Sequence, residues 1–100
     1  MTDPKKEKYR QIRGAILSLL AHQHPGPLET REVLFLLDDL ALTIREEELR
    51  SHLSYLQEKG LVLIEERTAG GLTREMIRIT ADGLNVLDKF TKDIGVNVEF

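Results

Sequence analysis

A change of period at Gly60 constrains this chain more than any other feature. On its N-terminal side Leu49, Leu53 and Leu56 recur at spacings of four and three, which places them on one helical face. On its C-terminal side Leu61-Val62-Leu63-Ile64-Glu65-Glu66 reads as a strand. Gly60 follows Lys59 where a helix end favours a left-handed residue. Ala69-Gly70-Gly71-Leu72-Thr73 reads as a hairpin loop, because glycine takes positive φ without steric cost. Glu75-Met76-Ile77-Arg78-Ile79 is the return strand, with Met76 out of phase with Ile77 and Ile79. A helix that runs straight into a β-hairpin narrows the fold to a few small mixed architectures.

The flanking segments complete the order. Asp3 before Pro4 suits an N-cap with proline in the first turn. Tyr9, Ile12, Ile16, Leu19 and Leu20, with Ala15 beside them, define helix 1 over about residues 4–22. The run His22-Gln23-His24-Pro25-Gly26-Pro27 ends it. Leu28-Glu29 suits a short extended piece, and Thr30 an N-cap for helix 2 over about 31–41. Val33, Leu34, Leu36, Leu37 and Leu40 nearly fill that segment, which predicts the most buried helix. Thr43-Ile44-Arg45-Glu46 fits a capping box opening helix 3 over about 44–59. After the hairpin at about 61–79, Thr80 caps a last helix over about 81–93, with Leu84, Leu87 and Phe90 inward. In the tail, 94–100, Val96-Asn97-Val98-Glu99-Phe100 alternates as a strand added to a partner's sheet edge would. Helix, short strand, helix, helix, strand, strand, helix is a mainly α chain with a small β-hairpin wing: a winged helix-turn-helix in one domain of 100 residues.

Composition removes several function classes. The formal charge is −3, which excludes a basic coat for nucleic acid. Absence of cysteine removes disulfides, thiolate zinc sites and a cysteine nucleophile. No apolar stretch approaches the roughly 20 residues of a membrane span, and MTDPKKEKYRQ lacks a signal-peptide core, so the expected location is the cytoplasm. His22 and His24 have no third ligand nearby in sequence, so no metal and no cofactor is expected. No nucleophile motif, phosphate loop or paired acids point to an enzyme. The charge is uneven. Residues 1–13 hold five Lys or Arg and two acids, for +3, whereas residues 14–42 come to −3.

The run Leu49-Arg50-Ser51-His52-Leu53-Ser54-Tyr55-Leu56-Gln57-Glu58-Lys59-Gly60-Leu61-Val62 resembles the recognition-helix region of bacterial winged-helix regulators of the ArsR, MarR and PadR types. Ile79-Thr80-Ala81-Asp82-Gly83-Leu84-Asn85-Val86-Leu87 is similar to the start of the helix after their wing. The resemblance covers about residues 10–92. It implies a transcriptional regulator that binds duplex DNA as a homodimer, joined through helix 1 and the C-terminal helix, with helix 3 in the major groove. The matching leucines and glycine serve packing, so function rests on the exposed side chains.

Those side chains point two ways. Arg45, Arg50, Ser51, Ser54 and Tyr55 of helix 3, with Arg67 and Arg74 flanking the wing tip, are the candidate DNA contacts. Arg78 adds a further wing cation, and each arginine also suits a plain solvated surface. Next to leucine on the core face, His52 is expected to be partly exposed, for packing or a phosphate contact. Glu46, Glu47 and Glu48 stand where helix 3 meets a groove. They complement the helix dipole, and they repel phosphate. They are also the candidate surface of the alternative, a winged-helix module that binds a protein partner and no DNA.

Overall fold

The computed structural model describes residues 3–99. Its elements are α1 (Pro4–Gln23), β1 (Leu28–Glu29), α2 (Thr30–Asp39), α3 (Glu46–Glu58), β2 (Val62–Ala69), β3 (Leu72–Ile79) and α4 (Ala81–Leu87). This is the order expected from the sequence. The Asp3 carboxylate accepts from the Lys5 amide at 2.9 Å, and Pro4 occupies the first turn. α1 buries Ile12, Ala15, Ile16, Leu17 and Leu20, and it packs against α2, α3, α4 and β3. The most buried helix is therefore α1. α2 keeps only Thr30, Val33 and Leu37 buried, with Phe35 and Leu40 exposed, because it covers the core from one side.

Two caps differ from expectation. Thr30 is the first helical residue of α2, and the cap is Glu29, which exchanges hydrogen bonds with the backbone and side chain of Glu32 in a capping box. Thr43 does not open α3. Its hydroxyl is turned back to Asp38, and α3 starts at Glu46 behind Arg45, whose side chain makes no cap bond. The chain between them is committed to closing α2. Ala41 is left-handed, with φ 59°, and the Leu42 amide reaches the Leu37 carbonyl. α3 closes in the same way, with Gly60 at φ 72° and the Leu61 amide on the Leu56 carbonyl.

The three strands pair antiparallel in the order β1-β3-β2. Gly70 and Gly71, at φ 58° and 77°, form a two-residue turn, so the strands run further than the five-residue loop expected. Val62 opposite Ile79 and Ile64 opposite Ile77 face the helices. The same face continues outward as Glu66 opposite Glu75, then Thr68 opposite Thr73. The other face carries Leu63 opposite Arg78, Glu65 opposite Met76 and Arg67 opposite Arg74.

Thr80 caps α4, accepting from the Gly83 amide and donating to the Gly60 carbonyl at 2.6 Å. α4 stops at Leu87, six residues earlier than expected. Lys89 turns left-handed at φ 64°, and the Phe90 amide closes on the Asn85 carbonyl. Phe90 is consequently 78% exposed and not inward. Residues 96–99 form no strand. Val96 is buried, and the Asn97 amide donates to the Arg10 carbonyl, so the tail lies on its own α1. Phe100 lies outside the described residues. Among those residues, no helix is long and apolar enough to cross a membrane.

Candidate nucleic-acid interface

α3 has two faces. Leu49, His52, Leu53 and Leu56 point inward, while Glu46, Glu47, Arg50, Ser51 and Ser54 form an exposed strip beside the wing. The leucines and histidine fix the rotation of α3, so the core decides which polar side chains face outward. Ser51 and Ser54 are short hydrogen-bonding groups with room in front of them. Arg50 is different. Its guanidinium donates to both Glu75 carboxylate oxygens, at 3.1 and 3.2 Å, and to Glu46 at 3.3 Å. Hydrogen bonding to Glu75 is the main cause of its raised pKa. Glu75 is fixed in turn by the Thr30 hydroxyl at 2.7 Å. One carboxylate thus ties α2, α3 and β3 together.

The wing carries cations on its outward face. Arg67 and Arg74 are directly opposite each other, two rungs below Ala69 and Leu72, the pair that flanks the turn. Arg74 has only a long contact with Glu29, at 3.8 Å, and Arg78 pairs with Glu65 at 3.1 Å. Among the described residues neither Arg45 nor Arg67 forms an ion pair. Like charges placed directly across a strand pair destabilise it, so the Arg67–Arg74 pair does not serve the fold.

The three glutamates are not equivalent. Glu46 is engaged by Arg50 and Glu48 reaches His52 at 3.4 Å, which leaves Glu47 without an ion pair among the described residues.

Two residues are not placed as expected. His52 is 2% exposed, not partly exposed, and no phosphate can reach it. Its Nδ1 accepts from Arg13 Nε at 3.1 Å, so its proton sits on Nε2, toward Glu48. Tyr9 meets the ring edge-on. Burial lowers the His52 pKa first of all, the Arg13 charge lowers it further, and Glu48 opposes both. Tyr55 lies on the flank away from the strip. Arg13 covers its ring at 3.9 Å, and its hydroxyl donates to Asp93. Burial and Asp93 together raise the Tyr55 pKa. Arg13 also donates to the Gly95 carbonyl at 3.2 Å, so this group ties the C-terminal segment to α1 and α3.

None of Glu75, Thr30, Arg13 and Asp93 was a candidate site residue in the sequence. Strand parity was the available signal for Glu75. It shares a face with Ile77 and Ile79, and that face looks at α3. His22 and His24 are both exposed, and among the described residues no three His, Asp or Glu side chains are grouped as a metal site requires.

The architecture is a winged helix: a helical core that presents one helix beside a β-hairpin wing, which β1 extends to a three-stranded sheet. It is the fold of PadR-family regulators. A PadR-family transcription regulator from Clostridium difficile superposes with a TM-score of 0.68 at 17% identity, over 79% of this chain and 81% of that one. A PadR-family transcriptional regulator from Eggerthella lenta gives 0.62 at 24% identity, over 75% of this chain and 66% of that one. Bacillus subtilis PadR, solved in complex with operator DNA, gives 0.68 at 20% identity, over 91% of this chain. The present chain spans 54% of the B. subtilis PadR chain. No protein-family model and no curated protein matches the chain.

Proposed function

We propose that this chain is a sequence-specific DNA-binding transcriptional regulator that acts as a dimer on duplex DNA and has no enzymatic activity. The observation that carries the reading is the Arg67–Arg74 pair. Two cations face each other across the wing at a cost to the hairpin, and a phosphate backbone beside them offsets that cost. Ser51 and Ser54 are the base-reading candidates on the exposed strip, and Arg45 and the wing arginines the phosphate contacts. Arg50 belongs to the same face but is engaged internally. Tyr55 drops out of the proposed contact set, because its ring and hydroxyl are used within the fold. That a PadR from B. subtilis was solved with operator DNA supports the same reading.

In the proposed dimer, the contacts of helix 1 and the C-terminal helix include the tail that already lies on α1. Analytical ultracentrifugation tests the dimer. Fluorescence anisotropy against duplex fragments from around the chain's own gene tests DNA binding. Affinity should fall steeply with salt through counterion release, and Arg67→Ala with Arg74→Ala should weaken binding to all sequences alike. Absence of binding to every fragment at low salt refutes the reading. The second reading, a protein-binding module, is favoured by one observation: Glu47 stands unpaired at the start of α3. Under it, Glu47→Lys abolishes capture of a basic partner, whereas under DNA binding it raises nonspecific affinity for duplex.

A further inference from the structure

The groove between α3 and the wing is lined by Arg50, Leu53, Ser54, Gln57, Ile64, Glu66 and Glu75. Its single cation is held on three sides by carboxylate oxygens of Glu75 and Glu46. Nη1 donates to both Glu75 oxygens and Nη2 to Glu46, so two carboxylates together occupy the two terminal nitrogens with which arginine binds phosphate. Any phosphate at this groove therefore competes with Glu75 for the same donors. Glu75 is also the better placed competitor. Its side chain is only 25% exposed, and the Thr30 hydroxyl holds it in position.

From this geometry we infer that Glu75 is an internal phosphate mimic that occupies Arg50 and sets the affinity of the α3–wing face for duplex DNA. The inference rests on the proposed DNA-binding function and deepens it. While Glu75 holds Arg50, binding relies on Arg45, Arg67, Arg74 and the serines. When Glu75 is neutral, Arg50 is free to reach a phosphate, and one more counterion is released on binding. Glu75 thus keeps the face weak for DNA in general and leaves discrimination to the base-reading side chains.

Glu75→Gln isolates the effect, because a glutamine oxygen still accepts from Thr30. Glu66→Gln is the control: Glu66 lies directly opposite Glu75 in the same groove and has no ion pair with Arg50. The probe is a fluorescein-labelled duplex of about 30 base pairs and mixed sequence, titrated at several salt concentrations. Glu75→Gln should tighten binding about tenfold and steepen the salt slope by about one unit. Glu66→Gln should gain less than about threefold, the share due to charge alone. Arg50→Ala should change wild-type affinity less than about twofold, yet remove the whole gain of Glu75→Gln. Equal gains from the two glutamines, or a Glu75→Gln gain that survives Arg50→Ala, overturn the inference while leaving the DNA-binding reading intact. No binding by wild type or any variant refutes that reading, and the inference with it. If Glu75→Gln fails to fold, Arg50→Ala in the wild type decides: a loss of affinity under about twofold supports the inference, and a loss of about tenfold places Arg50 on the DNA already and overturns it.

Discussion

Acidification should weaken this fold through one buried imidazole. His52 is inside, its Nδ1 accepts from Arg13, and its Nε2 proton faces Glu48. Protonating Nδ1 removes that acceptor and sets a second cation against the guanidinium. Burial is the largest cause of the lowered pKa, so the folded protein takes up the proton at lower pH than the unfolded chain, whose value is 6.5. Between the two values the unfolded state binds more protons, and stability falls as the pH falls. The slope cannot exceed about 1.4 kcal/mol per pH unit for one group. It is absent well above the unfolded value and vanishes again below the folded one. Glu48, which opposes the shift, narrows the window. Urea unfolding of wild type and His52→Gln at pH 7.5, 6.5 and 5.5 measures it, since glutamine can accept from Arg13 and does not titrate. Between pH 6.5 and 5.5 the wild type should lose up to about 1 kcal/mol more than the variant. Equal pH dependence of the two proteins, or a wild type that gains stability on acidification, would refute the assignment of His52 as the responsible group.

Three further outcomes follow from the backbone and the C-terminal segment. A Cβ at Gly83 would lie 2.2 Å from the Leu61 carbonyl oxygen and 2.6 Å from an Ile79 side-chain carbon. Gly83→Ala should therefore lower stability by about 1–3 kcal/mol in thermal or urea unfolding, against the usual helix preference for alanine. Ala41 and Gly60 occupy equivalent left-handed positions after α2 and α3. Ala41→Gly should raise stability by about 0.5–1 kcal/mol and Gly60→Ala should lower it by about 1–2 kcal/mol, because a Cβ there meets only the backbone penalty. Tyr55→Phe removes the bond to Asp93, costs about 1 kcal/mol, and should speed hydrogen exchange of the Gly95 amide, which shares that carboxylate.

The architecture was legible wherever local chemistry and tertiary packing agree. The period change at Gly60, the paired glycines of the turn and the Thr80 cap all survive in the structure, because each satisfies its own backbone. The misplacements arise where a residue without the usual signal does the work. Ala41 and Lys89 adopt the left-handed conformation that glycine favours, so helix ends at α2 and α4 carry no glycine to mark them. Thr43 has the composition of a cap, but its hydroxyl is drawn to Asp38 by the turn that closes α2. The apolar run of α2 suggested burial, yet a helix on the outside of a core buries one stripe. Phe35 lies off that stripe.

The candidate site was legible in its positions and not in its pairings. Helical spacing places Arg50, Ser51 and Ser54 on one exposed strip, whereas the pairing of Arg67 with Arg74 depends on the two-glycine turn, since a loop over 69–73 would set Thr68 opposite Arg74. Which arginine is free is a different question, because it depends on residues 25 positions apart meeting across the groove. Arg50 and Glu75 are such a pair, whereas Arg67 has no ion-pair partner among the described residues. A net charge of −3 excluded a basic coat, but the count does not say where acids sit. Two of the three glutamates opening α3 are turned onto Arg50 and His52, and a third carboxylate, on the wing, sits over the same arginine. Much of the acidity that argues against DNA binding in the sequence is therefore paired within the chain. Of the glutamates opening α3, Glu47 alone has no ion pair among the described residues, and under the proposed function it is the one left to repel a phosphate beside the wing arginines.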